Sequence, residues 1–124
     1  MGIITYFFDT YAFYEIIKGN QNYSPYKKDI SIITTKLNLM ELHYALLRVY
    51  DKETAESYYE EFLPLTIEVD DEIIKTSNLF KFENKEKKLS YIDCIGYTLS
   101  KKLGIKFLTG DKQFENLDNV EFVK

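Results

Sequence analysis

Dense apolar runs of four to six residues alternate along the chain with longer stretches in which apolar positions recur every three or four residues. The first kind of pattern predicts buried strands and the second predicts helices. Residues 3–8 are β-branched and aromatic without alternation, which suits a strand buried on both faces, and Asp9 ends it. Residues 11–18 read as a short helix stopped by Gly19-Asn20, and the loop through Pro25 leads to a second strand at 30–34. Over 36–50, Leu37, Met40, Tyr44 and Leu47 mark the apolar stripe of an amphipathic helix. A more acidic helix at about 52–62 stops at Pro64, and residues 65–69 alternate as an edge strand should, with Thr66 and Glu68 on the wetter face.

A further helix is expected at about 71–82, followed by a charged loop at 83–88. Ser90 then opens a helix with the stripe Ile92, Ile95, Leu99 and Leu103, closed by Gly104 in the C-cap role. Residues 105–109 form the next strand. Gly110-Asp111 turns into a short helical segment through Phe114 and Leu117, and 120–123 close the chain as an alternating strand. Strands separated by helices imply a three-layer α/β/α domain with a mostly parallel central sheet of about five strands.

At 124 residues and 45% hydrophobic content the chain has material for one core, so residues 1–124 are expected to form a single domain. The start, MGIITYFFDT, lacks the basic flank and long apolar run of a signal peptide, and no stretch has the length of a membrane span. A soluble cytoplasmic protein is expected. One cysteine, Cys94, precludes an internal disulfide, and one histidine, His43, cannot complete with it the usual four-ligand zinc site. Any metal would therefore be held by oxygen.

The net charge of −4 is unevenly distributed: residues 51–72 hold nine acids and one lysine, leaving 11 acids against 15 bases elsewhere. The overall sign thus leaves room for a polyanionic substrate.

Four acids carry the candidate chemistry: Asp9, Glu41, Asp93 and Asp111. In a parallel sheet the strand C-termini and the N-termini of the helices share one edge, where ligands bind. Asp9 ends the first strand, Asp111 follows a late one, and Asp93 lies in the first turn of a helix that feeds a strand. Glu41 is roughly 8 to 9 Å along its helix, and its side chain leans back toward the same edge. Carboxylates about 5 Å apart repel by roughly 3 kcal/mol at an effective dielectric near 20, a penalty that a cation removes. Mg²⁺ or Mn²⁺ suits an all-oxygen donor set.

Each acid also has an ordinary structural role open to it. Asp9 and Asp111 fit N-caps, Ser90 with Asp93 fits a capping box, and Glu41 has Arg48 or a lysine as a partner. Asp70 and Asp71 satisfy the same position rule, but their strand reads as an edge about 10 Å from the centre, so they are taken as capping and solvated acids.

The segments FFDT, NLMEL, LSYIDCIGYTLSKKLG and LTGDKQF, in that order, resemble the PIN-domain family of metal-dependent ribonucleases over essentially the whole chain. The resemblance implies an acidic Mg²⁺ or Mn²⁺ site at Asp9, Glu41, Asp93 and Asp111, with Thr10, Ser90 and Thr109 as polar supports. It implies hydrolysis of RNA to a 5′-phosphate and a 3′-hydroxyl. One position departs from the pattern: many relatives carry a second acid two residues after the one matching Asp111, where this chain has Gln113. The size is similar to VapC-type toxins, whose partner is a small antitoxin and which commonly form homodimers.

Lys85, Lys87, Lys88 and Lys112 are candidates for substrate contact, with solvated surface lysines as the alternative. His43 reads as a surface or packing residue, Cys94 as core, and Tyr6 and Phe7 as core, while Tyr11 and Tyr14 are open to either role. Two other functions fit a small α/β domain with acids at one edge. A receiver-like phosphoacceptor needs two acids after the first strand, and only one is present. A non-catalytic PIN-like interaction module is kept open by Gln113.

Overall fold

Phe7 and Phe8 are consecutive and both fully buried, which requires a strand covered on both faces because side chains alternate along it. That strand is β1, Ile4–Phe8. The computed structural model describes residues 2–124. In chain order after β1 come α1 (Thr10–Lys18), β2 (Ile30–Ile33), α2 (Lys36–Val49), α3 (Lys52–Phe62), α4 (Asp71–Glu83), α5 (Tyr91–Leu103), β3 (Lys106–Thr109) and β4 (Val120–Phe122). Short 3₁₀ segments fill several of the connections.

The sheet is parallel throughout, in the order β2-β1-β3-β4. Phe7 pairs in register with Phe107 and Phe8 with Leu108, so each face of the centre presents one residue from each strand. On one face Phe7, Phe107 and Phe114 pack with Ile73 of α4 and Cys94, Tyr97 and Leu99 of α5. On the other, Phe8 and Leu108 pack with Ala12 and Phe13 of α1, Leu42 and Leu46 of α2, and Ala55 of α3. These two cores make the three layers α/β/α.

Among the described residues the sheet has four strands rather than about five. Residues 65–69 lie beside β2 as expected of an edge, but Pro64 sits in a 3₁₀ turn and the Thr66 hydroxyl donates to the Leu63 carbonyl. Among the described residues the chain forms one isolated bridge there, Thr66 with Thr34, the residue that follows β2. Its alternation is real, since Ile67 and Val69 pack inward on the Phe7 core, but the pairing ends before a ladder forms.

Two helical stripes also differ from expectation. In α2 the buried face is Asn38, Leu39, Leu42 and Leu46, while Met40 and Tyr44 are 55% and 63% exposed and Leu47 is exposed as well. The sequence offers two apolar faces on this helix, and α3 packs against the second-best of them by periodicity. In α5 the buried residues are Cys94, Gly96, Tyr97, Thr98, Leu99 and Ser100, because this helix is covered by both the sheet and α4. Of the expected stripe only Leu99 is buried; Ile92 and Ile95 are half-buried and Leu103 is exposed at the helix end. Gly96 lets α5 approach the sheet: a Cβ there would stand 2.7 Å from Phe7 Cε1 and 3.0 Å from Phe107 Cε1.

Candidate active site

The strand order reverses direction between β1 and β3, and in open α/β sheets that switch point opens a crevice beyond the strand C-termini. Asp9 follows β1 and Asp111 follows β3 by two residues, so the two strands that bound the crevice each deliver an acid to it. Asp93 comes from the first turn of α5, the helix that feeds β3, and Glu41 from α2.

Asp9 is 3% exposed. Its Oδ1 accepts from the Ala12 backbone N–H at 2.8 Å, which makes it the N-cap of α1. Burial raises its pKa to about 8; hydrogen bonds from the Thr109 hydroxyl and Ala12 N–H oppose that rise, and the charges of Asp93 and Asp111 add to it. The Thr109 oxygen in turn accepts from the Asp111 backbone N–H at 3.0 Å, so one hydroxyl ties Asp9 to the Asp111 turn.

Asp93 completes a capping box with Ser90: its carboxylate accepts from the Ser90 N–H at 3.2 Å, and the Asp93 N–H donates to Ser90 Oγ at 3.0 Å. Its pKa is raised, first by burial and also by the charges of Asp111 and Glu41, against the lowering effect of the Ser90 hydrogen bonds. Asp111 caps the following turn through the Gln113 N–H at 3.0 Å.

Glu41 is half-buried and bonded to neither Arg48 nor a lysine. The Thr10 hydroxyl, one residue beyond Asp9, donates to its Oε1 at 2.7 Å. Thr10 Oγ1 also accepts from the Asn38 amide at 3.3 Å, and Asn38 Oδ1 accepts from the Thr35 hydroxyl at 2.6 Å. Thr35 and Asn38 are buried, so a fixed polar chain sets the position of Glu41. Sequence reasoning overlooked Asn38 and Thr35. The readable signal was an amide three residues before Glu41, on the face that Leu39, Leu42 and Leu46 bury.

The four acids therefore reach one edge, and Asp9, Asp93 and Asp111 feel one another's charge, as do Asp93 and Glu41. Among the described residues the ion pairs are Lys18–Glu15, His43–Glu56, Lys101–Asp118 and Lys102–Asp70, and none involves these acids. Among the same residues, no three His, Cys, Asp or Glu side chains are already gathered closely enough to enclose one metal ion. Three of the carboxylates are turned onto their own helix or turn as caps. The chemistry of the donor set nonetheless fits a hard divalent ion: all oxygen, partly desolvated, and, among the described residues, not ion-paired with a basic side chain.

The remaining candidates are spread more widely. Lys85 and Lys87 lie in the 3₁₀ turn after α4, Lys88 follows at φ 56°, and Lys112 follows Asp111. All stand on loops or turns, and among the described residues none makes an ion pair with the four acids. His43 pairs with Glu56 at 2.6 Å on the α2–α3 surface. Cys94 is buried, and burial pushes its thiol up to about 11. Asp70 caps α4 through the Ile73 N–H, the capping role expected of it.

The PIN-domain profile matches residues 6–120. This chain belongs to the PIN-domain family. The receiver-like alternative falls with that match. The fold is similar to that of the Mycobacterium tuberculosis toxin VapC20, a sarcin-ricin loop cleaving toxin, at TM-score 0.80 and 17% identity over 96% of this chain and 99% of that one. It is similar also to VapBC2 from Rickettsia felis bound to a promoter DNA fragment (TM-score 0.72, 20% identity, 98% and 100% covered). A toxin–antitoxin complex from Klebsiella pneumoniae gives TM-score 0.72 at 16% identity, with 93% and 94% covered. No curated protein sequence matches significantly. No helix among the described residues is long and apolar enough to cross a membrane.

Proposed function

We propose that this PIN-domain protein is an endoribonuclease, dependent on Mg²⁺ or Mn²⁺, and the toxin of a type II toxin–antitoxin pair. What supports the reading is that Asp9, Asp93 and Asp111, and Asp93 with Glu41, stand near enough to feel one another's charge beyond the C-termini of β1 and β3, while among the described residues none of them is ion-paired with a basic side chain. Those four residues would hold the ion. Bound there, a divalent ion supplies Lewis-acid charge for a phosphodiester and its attacking water.

The chain's own residues prepare the site. Thr10 orients Glu41, Thr109 orients Asp9 and steadies the Asp111 turn, and Ser90 fixes Asp93 at the start of α5. Without a cation Asp9 keeps its proton up to about pH 8, so occupation of the site releases a proton from that carboxyl. Lys85, Lys87, Lys88 and Lys112, on turns after α4 and after Asp111, would meet the phosphate backbone of RNA.

The toxin reading draws on the likeness to VapC-type folds along nearly the full length of each chain. Met40, Tyr44 and Leu47, turned outward on α2, offer apolar surface to an antitoxin or to a second copy in a homodimer. Incubation of the purified protein with a panel of RNAs in Mn²⁺ or Mg²⁺, beside EDTA and an Asp93→Asn control, tests the chemistry. Metal-dependent cleavage lost in D93N is expected. Cleavage that persists in EDTA or in D93N overturns the metal-nuclease reading, and no cleavage of any RNA favours the non-catalytic module.

A further inference from the structure

Immediately before Asp93 the chain builds a second surface that the acidic site does not use. Phe82 near the end of α4 and Tyr91 at the start of α5 are 67% and 66% exposed. They line a groove of about 490 Å³ together with Asn78, Lys81, Lys85 and Leu89. An ammonium lies over each ring, Lys85 Nζ at 5.0 Å from the Phe82 centroid and Lys81 Nζ at 4.9 Å from that of Tyr91. The floor is anchored: Leu89 is 2% exposed within the Phe7 core, and Lys81 donates to the Leu89 carbonyl.

Single exposed aromatics are ordinary, but two on one groove, each beside a lysine, select their ligand. Residues 81–91 contain four lysines and two glutamates, so the groove is cationic in a protein whose net charge is −4. An apolar protein segment laid there would desolvate the Lys81 and Lys85 ammoniums without balancing them. A strand of nucleic acid offers both complements, π-faces for the rings and phosphates for the lysines. Paired bases already stack on their neighbours and keep their faces from the rings, so the fit is to an unpaired strand.

We propose that Phe82 and Tyr91, with Lys81 and Lys85, form a stacking ledge that holds unpaired RNA bases beside the acidic site. The inference deepens the ribonuclease reading and rests on it. Tyr91 is the first residue of α5 and Asp93 the third, on different sides of the same helical turn. A strand with a base stacked at Tyr91 would cross the N-terminus of α5 to bring its backbone toward Asp93. Tyr91 and Phe82 act as positioning residues that touch substrate bases, and the protein prefers unpaired segments.

The test uses a fluorescein-labelled 20-nucleotide unpaired RNA of random sequence, and a duplex of the same length, with the full chain. Anisotropy in EDTA gives affinity apart from cleavage, and kinetics in Mn²⁺ on an RNA that the wild type cuts give kcat and KM. Tyr91→Ala and Phe82→Ala are each expected to weaken unpaired-RNA binding about tenfold and to raise KM with kcat nearly unchanged. Tyr91→Phe keeps the ring and stays within about twofold of wild type. Alanine variants that bind and cleave like the wild type overturn the ledge while leaving the nuclease intact. Equal affinity for duplex and unpaired RNA, or a fall in kcat at constant KM, also overturns it. A wild type that neither binds nor cuts RNA overturns both this inference and the ribonuclease reading.

Discussion

Asp9→Asn turns the electrostatics of the site into a stability measurement that needs no substrate. Burial, with the charges of Asp93 and Asp111, raises the Asp9 carboxyl to about 8, against an ordinary value near 4. A pKa raised in the folded state means that the unfolded chain loses its proton first, so stability falls as pH rises from near 4 through about 8. A displacement of that size is worth at most about 6 kcal/mol at the top of the window. Even a third of it, about 2 kcal/mol, moves the Tm of a domain this size by about 6 to 10 °C. Asparagine caps α1 about as well as aspartate and carries no charge, so the cap to Ala12 is kept while the ionisation cost is removed. Thermal unfolding in EDTA at pH 5 and pH 8.5 should give wild type and D9N similar Tm values at the lower pH and a clearly more stable D9N at the higher. Added Mn²⁺ should then raise the wild-type Tm at pH 8.5 and leave D9N nearly unmoved. Wild-type and D9N Tm curves that run parallel across this range would refute the proposed uncompensated charge at Asp9.

Thr10→Val removes the hydroxyl that orients Glu41 and should lower cleavage or Mn²⁺ affinity by about tenfold to a hundredfold, with Thr10→Ser close to wild type in the same assays. Gly96→Ala drives a methyl into the Phe7 and Phe107 rings, both fully buried, and should cost about 1 to 3 kcal/mol in urea unfolding despite alanine's better helix propensity. Cys94, buried and with its thiol pushed up to about 11, should react with a thiol reagent at pH 8 only after unfolding; rapid labelling of the native protein would contradict its core placement.

The elements that position the site were readable because each carries a local signal. Asp9 stands at the end of an apolar run, Ser90 and Asp93 have capping-box spacing, and Gly104 closes α5 in the left-handed region at φ 69°. The helix at 52–62 has the bounds its pattern predicts. What was not readable depends on which of two competing neighbours a segment finds. On α2, periodicity alone favours Met40, Tyr44 and Leu47, yet tertiary packing buries Leu39, Leu42 and Leu46 and brings the polar Asn38 with them. Residues 65–69 alternate like a strand, but Pro64 and the Thr66 hydroxyl commit the backbone to a turn, and only one rung forms. The same tertiary choice hides the Thr35–Asn38–Thr10–Glu41 chain, whose members are spread over 31 positions. Capping and proximity are compatible: Asp9, Asp93 and Asp111 are caps, and they stand near enough to feel one another's charge because helix N-termini gather at one edge.

The central claim is that Asp9, Glu41, Asp93 and Asp111 together hold a divalent ion. Anomalous scattering from crystals of the protein grown with Mn²⁺ tests it most directly. The account predicts a manganese peak at the switch point between β1 and β3, contacted by carboxylate oxygens of these residues directly or through water. Saturating Mn²⁺ that leaves this edge empty, or that binds only elsewhere on the surface, would contradict it.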